Sequence, residues 1–189
     1  NTDITSPAAT LALGLMYMKS GNHTIASAVS IPQTHFTLEF VRPDFLGLRV
    51  VARSLILWNE VEPTQAWIDS QVPNVIHSAY HAMRTIAKRT VEGRTPVKTR
   101  AVDYDRRAVR QIYANIIAGA CFSIGLRFAG TGDERAKRAL LDCVLQMHKL
   151  REGNDAVSVV SKPEFPILET CLGLTAISLA MVLAGTGDL

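Results

Sequence analysis

Three segments of the chain repeat one pattern, in which a nearly uncharged run of small and aliphatic residues closes on a glycine turn. They cover residues 8–22, 119–133 and 174–188, and they align without gaps when their closing glycines are superposed. The last two also share the string Ala-Gly-Thr-Gly-Asp. Self-similarity of this kind is typical of repeat proteins, in which each unit packs mainly against its neighbours. The chain is therefore expected to contain similar structural units, with others or insertions between them because the spacing is irregular.

Each of the three runs predicts a helix that is buried over most of its circumference, since Lys19 and Arg127 are the only charged residues before the closing glycines. Gly14 and Gly125 lie inside these helices, where glycine costs about 1 kcal/mol relative to alanine. A contact between neighbouring helices that is too close for a side chain would offset this cost. We therefore predict a structural role for both glycines.

The glycines that close the runs are predicted to be structural as well. Gly21, Gly132 and Gly187 are expected where a helix ends, because glycine adopts the left-handed conformation without a steric penalty. Gly130 and Gly185 belong to the shared string and are assigned a structural role with them.

The rest of the chain alternates apolar with amphipathic segments and contains no strand-like alternation. Further helices are predicted over 45–58, from 62 through Trp67, and over 74–88, 104–129 and 133–150. Residues 89–103 are predicted as a mobile basic loop and residues 151–163 as a second loop. The predicted fold class is all-α, an α-solenoid of helical hairpins in which each repeat buries one helix and exposes the other. We interpret residues 1–189 as one fragment of a repeat domain and expect neighbouring segments on both sides.

Several segments resemble a known family. Residues 40–58, with the sequence FVRPDFLGLRVVARSLILW, are the most specific, and residues 7–17, 116–130 and 168–185 match as well. They resemble the proteasome–cyclosome (PC) repeat region of the largest scaffold subunit of the anaphase-promoting complex, or cyclosome.

The resemblance implies a toroidal ring of PC repeats within a multisubunit ubiquitin ligase that controls mitotic progression. It implies a non-catalytic scaffold that positions a coactivator and a substrate-receptor subunit among the other subunits of the complex. It also implies an intracellular location, in the nucleus and cytoplasm, which agrees with an odd number of cysteines in apolar stretches. The large non-ATPase scaffold of the proteasome base shares this repeat and is the alternative.

The predicted loop after residue 88 concentrates positive charge. Its possible interaction residues are Arg89, Arg94, Lys98 and Arg100, and the flanking helices add Arg84, Lys88, Arg106, Arg107 and Arg110. Such a cluster is usually a solvated loop, but it would suit an acidic or phosphorylated protein segment, or nucleic acid. A basic helical nucleic-acid-binding protein is therefore the alternative from a different class. Since no set of aromatic residues accompanies the charges and the net charge is only +3, we expect no nucleic-acid partner.

No pattern in the sequence favours an enzyme, a cofactor or a metal site. His77 and His81 have a spacing that zinc sites use, but no glutamate lies between them and no further ligand is near in the sequence. The dinucleotide-like Gly130-Thr131-Gly132 follows a helix, whereas that fingerprint follows a strand. Residues 170–187 are uncharged over nearly the length of a membrane span, yet they contain polar residues and lack flanking basic anchors. We predict a buried helix there and no membrane partner.

Overall fold

The structure is a computed structural model that describes residues 5–38, 40–93 and 105–187. All regular secondary structure in these ranges is helical, which confirms the all-α prediction. The helices are α1 (Thr5–Met16), α2 (His23–Ala28), α3 (His35–Leu38), α4 (Pro43–Ile56), α5 (Gln65–Ser70), α6 (Asn74–Val91), α7 (Arg106–Arg127), α8 (Glu134–Glu152), α9 (Ala156–Ser161) and α10 (Phe165–Leu183).

Four apolar helices, α1, α4, α7 and α10, lie side by side in a row in which each packs extensively on the next. The backbone contacts of the row show that its helices are parallel. The N–H group of Lys19, just after α1, donates to the carbonyl of Leu55 near the end of α4. The N–H group of Gly130, just after α7, donates in the same way to the carbonyl of Met181 in α10. Between these pairs, Arg127 at the end of α7 donates from its guanidinium to the carbonyl of Trp58, just beyond α4.

A second layer of helices covers one side of this row. Helix α6 packs on α7 and α9, and α8 packs on α7, α9 and α10. Of the short helices, α2 packs on α4 and α5 packs on α7. The core lies between the two layers. Its fully buried side chains include Ile116, Ile124, Leu140 and Leu168.

Small residues set how closely the row helices approach each other. A Cβ atom built on Gly14 would lie 2.8 Å from the Cα atom of Ala52, and one on Gly125 would lie 2.8 Å from the Cα atom of Ser178. Distances this short do not occur between real atoms of these types, so any side chain would push the backbones apart. The structure thus places both interior glycines at close contacts between adjacent helices.

The contact between α4 and α7 depends on two glycines that the sequence analysis did not single out. A Cβ atom on Gly119 would lie 2.5 Å from the carbonyl oxygen of Gly47, and one on Gly47 would lie 2.7 Å from the carbonyl oxygen of Asn115. Each pair of adjacent row helices therefore meets at a contact that excludes a side chain on at least one partner. The local signal was present, because both glycines interrupt predicted helices at a cost of about 1 kcal/mol each.

Side-chain caps fix where several helices begin. The carboxylate of Asp133 accepts hydrogen bonds from the N–H groups of Arg135 and Ala136, at 3.0 and 2.8 Å. The amide oxygen of Asn22 caps α2 by accepting from the N–H group of Ile25 at 3.1 Å. Caps of this type satisfy backbone donors that the first helical turn leaves unpaired.

The prediction of a second loop over residues 151–163 needs correction. Helix α8 continues to Glu152, and α9 occupies Ala156–Ser161. The carboxylate of Asp155 accepts from the N–H groups of Val157 and Ser158, both at 3.0 Å, and so starts α9. The segment was missed because six residues are too few to show helical periodicity.

We predict that Gly125→Ala destabilises the chain, since the new methyl group would lie 2.8 Å from backbone and side-chain atoms of Ser178. A loss of about 1–3 kcal/mol is typical of such overpacking. Urea unfolding followed by far-UV circular dichroism measures it. The matched control is Gly173→Ala, because Gly173 lies inside α10 with no atom within 4 Å of an added Cβ. That variant should be neutral or more stable by up to about 1 kcal/mol; equal midpoints for the two variants would contradict the close-contact interpretation.

Candidate interaction surfaces

The same turn follows three of the row helices. Residues 19–21, 130–132 and 185–187 each contain two left-handed residues separated by one residue, with φ angles between 61° and 75°. In each turn the middle residue donates its N–H group to a carbonyl three residues earlier, at 3.1 to 3.2 Å. Glycine occupies five of the six left-handed positions, namely Gly21, Gly130, Gly132, Gly185 and Gly187, and Lys19 occupies the sixth.

The first two turns connect each helix to the next one in the row. Besides the bonds of Lys19 and Gly130, the N–H group of Gly21 donates to the carbonyl of Ile56 at 3.0 Å, and that of Gly132 donates to the carbonyl of Val182 at 3.0 Å. Carbonyls at the end of a helix have no partner within that helix. Each of these turns therefore caps the carboxyl end of the following row helix.

The third turn caps no following row helix among the described residues. Helix α10 is the last helix in the described part of the chain, and a Cβ atom on Gly185 or Gly187 would meet nothing within 4 Å. The turn has the same backbone conformation as the other two. It thus presents the same pair of donors at an open position.

The outer face of α10 is apolar and exposed. We call it the α10 edge and define it by Gly173, Ala176, Ile177 and Ala180. The Ile177 side chain is 56% exposed, which is unusual for a large aliphatic residue. When the turn after α7 is superposed on the turn after α10, Gly125 corresponds to Ala180. Because Gly125 meets the next helix of the row, the α10 edge has the position of a helix-packing surface.

The opposite end of the row also has an uncovered apolar face. On α1, the residues Ala8, Ala12, Leu15 and Met16 are exposed, and we call them the α1 edge. Leu15 is 62% exposed and Met16 is 77% exposed. Contiguous apolar patches of this kind mark protein-interaction surfaces.

The basic loop lies largely outside the described residues, which hold only its first part. Arg89 is exposed near the end of α6, which extends to Val91, whereas Arg94, Lys98 and Arg100 are not among the described residues. Of the flanking basic residues, Arg84 and Arg110 line one cavity, to which we return below.

The two spaced histidines lie one turn apart on α6, with ring centroids 4.3 Å apart. In the described ranges, no group of three or more His, Cys, Asp or Glu side chains is arranged to hold a metal ion. Partial burial, followed by the positive charges of His77 and Arg84, lowers the pKa of His81. Among the described residues this pair therefore lacks the further ligands that a structural zinc site uses.

The three cysteines are buried and unpaired. A hydrogen bond to Cys143, together with burial, raises the pKa of Cys121, and burial raises the pKa of Cys171 to about 12. The thiols of Cys121 and Cys171 therefore stay protonated at neutral pH and act as small apolar side chains.

Two helices have the length and composition of membrane spans, α7 and α10. Helix α7 is mostly buried within the fold, and α10 packs on α7 and α8 through one face only. The prediction of a buried helix at α10 is therefore correct for the face that contains Thr175 and Ser178 and wrong for the α10 edge. The absence of a membrane partner stays a prediction.

A row of parallel helices with repeated capping turns and two open edges defines a helical-repeat protein.

Comparison with known proteins identifies the family. A family model described as the APC1 fifth domain matches residues 1–189. The chain is 44% identical to anaphase-promoting complex subunit 1 of Arabidopsis thaliana over the whole chain, which covers 11% of that protein. It is 38% identical to the Homo sapiens protein of the same name, with 9% of that protein covered.

The chain belongs to the anaphase-promoting complex subunit 1 family. A more distant relative, 32% identical over 99% of the chain and covered over 8% of its length, is named "Negative regulator of mitosis" in Emericella nidulans. The chain thus spans about a tenth of the length of the curated relatives it matches. The resemblance found in the sequence is confirmed.

We predict that Lys19→Gly is more stable than Lys19→Ala by about 1 kcal/mol, because residue 19 has a φ of 61°, which is unfavourable for residues with a Cβ atom. Both variants lose the Lys19 ammonium, which lies 4.9 Å from the centre of a Trp58 ring. Their difference therefore isolates the backbone conformation. Thermal unfolding of the two variants measures it, and a more stable alanine variant would show that the turn is not strained.

We predict that His81 titrates below its usual pKa of 6.5. Since the folded chain then favours the neutral imidazole, the contribution of His81 to stability is present above pH 6.5 and is lost as the pH falls below it. His77→Gln removes one nearby positive charge and should raise the pKa of His81. An NMR titration of the imidazoles measures this, with His23→Gln as a remote control. An unchanged His81 pKa in His77→Gln would rule out the coupling.

Proposed function

We propose that the chain is one section of a longer row of helical repeats in a non-catalytic scaffold subunit of the anaphase-promoting complex. In this proposal both edges are covered by neighbouring repeats of the same full-length protein, within a solenoid that closes into a toroidal ring. The observation that carries it is the turn at residues 185–187, which has the conformation of the two turns that cap the next row helix but caps no helix in the described part of the chain.

The geometry of the helix row supports a function in binding other proteins rather than in catalysis. The most regular geometry in the described chain is the helix row, and its close contacts place backbones against each other instead of shaping a reactive centre. Stacked repeats of this kind form extended binding surfaces. We therefore propose that the full-length protein holds other subunits, including a coactivator and a substrate-receptor subunit, in a ubiquitin ligase that controls mitosis.

The family match favours the cyclosome over the proteasome base, because the relatives carry the name of the anaphase-promoting complex. An intracellular location, in the nucleus and cytoplasm, follows from the proposal. No nucleic-acid or membrane partner is part of it.

The first experiment is mass spectrometry of proteins that co-purify with the tagged full-length protein from mitotic cells. Cullin, RING and tetratricopeptide-repeat subunits of the complex are the expected partners. Proteasomal ATPases would overturn the assignment in favour of the sister scaffold, and salt-sensitive recovery of nucleic acid alone would favour the nucleic-acid-binding alternative.

The second experiment tests the edges with a matched pair of charge substitutions, Ile177→Glu and Leu145→Glu. Both side chains are largely exposed in this chain, at 56% and 54%. In the 189-residue chain the two substitutions should therefore have similarly small effects. In the full-length protein Ile177→Glu should lower thermal stability by several degrees, because it would bury a charge between repeats, whereas Leu145→Glu should not. Equal behaviour in the full-length protein would contradict coverage of the α10 edge.

A further inference from the structure

A cavity of about 510 Å³ opens in the second layer, between α6, α7, α8 and the region of α9. Its volume is in the range of sites that bind small ligands or a few residues of a peptide. Two aromatic side chains line it, Tyr80 from α6 and Tyr113 from α7, and their rings are stacked with centroids 3.9 Å apart and planes 5° apart. The cavity is separate from both edges of the helix row.

Three basic side chains from three different helices line the same cavity. They are Arg84 of α6, Arg110 of α7 and Lys149 of α8. The Arg84 guanidinium lies 5.8 Å from the centre of the Tyr80 ring, and Arg110 donates only to the backbone carbonyls of Arg106 and Val159. Within the described part of the chain, none of the three forms an ion pair with a carboxylate.

The one carboxylate among the described residues that line the cavity offsets only one of these three charges. Asp155 accepts from the hydroxyl of Ser158 at 2.5 Å, as well as from the two N–H groups that it caps. Burial raises the pKa of both Tyr80 and Tyr113, so the phenols add no negative charge at neutral pH. The cavity therefore keeps a net positive charge.

Part of its wall is apolar, which favours a peptide over nucleic acid as the ligand. Ala114, Ile117, Leu150 and Leu168 line the cavity beside the basic groups. Nucleic-acid sites follow the phosphate backbone along an open basic groove, whereas this cavity is lined by residues of six helices, α5 to α10. The guanidinium group of arginine binds the oxygens of carboxylates and phosphates in a bidentate manner.

We propose that this cavity binds an acidic peptide segment, with one anionic side chain held by Arg84 and Arg110 and an adjacent apolar side chain against the aliphatic walls. The anionic group is a phosphorylated serine or threonine, or the carboxylate of glutamate or aspartate, since a guanidinium group can donate two parallel hydrogen bonds to the oxygens of either. The proposal is independent of the scaffold assignment, because it rests on the second layer and not on the row edges.

The test uses fluorescence anisotropy on the full-length protein with three labelled peptides. They are identical except for one central residue, which is phosphoserine, glutamate or serine, and each has leucine next to it. Tighter binding of an anionic peptide than of the serine peptide, by about tenfold, is expected from one or two charge-assisted hydrogen bonds. Preference for phosphoserine over glutamate would identify phosphate as the natural group, and equal affinity would identify a carboxylate. Equal binding of all three peptides would overturn the proposal.

Two matched double variants separate the cavity from the general charge of the protein. Arg84→Glu with Arg110→Glu reverses charge in the cavity, while Arg135→Glu with Arg138→Glu makes the same change in net charge at exposed positions of α8 that do not line it. The cavity variant should bind the anionic peptide at least tenfold more weakly, and the control should change by less than about threefold. An equal loss in both variants, or displacement of the peptide by single-stranded RNA at similar concentration, would overturn the proposal.

A milder double variant, Arg84→Lys with Arg110→Lys, controls for loss of binding through misfolding. It keeps the positive charges but removes the planar forks, so it should bind several-fold more weakly than the wild type while retaining its circular dichroism spectrum. Unchanged affinity in this variant would contradict bidentate binding by the two arginines.

Discussion

The fold depends on the close approach of parallel helix backbones in the row. Gly14 against Ala52, Gly119 against Gly47 and Gly125 against Ser178 bring neighbouring helices to distances that a single added methyl group would prevent. Because each helix contacts the next through such a site, a displacement at one contact also moves the backbone at the following one. The side chains of the second layer pack on a surface whose spacing is already set by these contacts. The cost of glycine within helices is thus offset by close packing between helices.

Much of the row could be predicted from the sequence because its signals are local. Uncharged runs predicted α1, α10 and the second half of α7, and α4 was predicted over residues 45–58. The left-handed glycines could be placed because their conformational preference does not depend on distant residues. Gly47 and Gly119 were not identified, because only the pairing of α4 with α7 distinguishes them from ordinary helix interruptions. Helices α2, α3 and α9 were too short to show a periodic pattern.

The candidate binding cavity could not be predicted, for a physical reason. Its basic residues come from three helices that are far apart in the sequence, and the stacking of Tyr80 on Tyr113 exists only after α6 has packed on α7. The sequence showed a concentration of positive charge around the loop after α6, and it included Arg84 and Arg110 in that cluster. It could not show that these two side chains line the same cavity, nor that Lys149 of α8 lines it too.

The capping turns give the row a direction. In each observed case, the turn after one helix donates hydrogen bonds and the carboxyl end of the following helix accepts them. The two edges of the described row therefore differ chemically: the turn after α10 carries the donors, and the carboxyl end of α1 is the position that such a turn would cap. Two copies related by a two-fold axis would bring like ends together and could not form these bonds. In the proposed ring of repeats, the row would therefore join its neighbours head-to-tail.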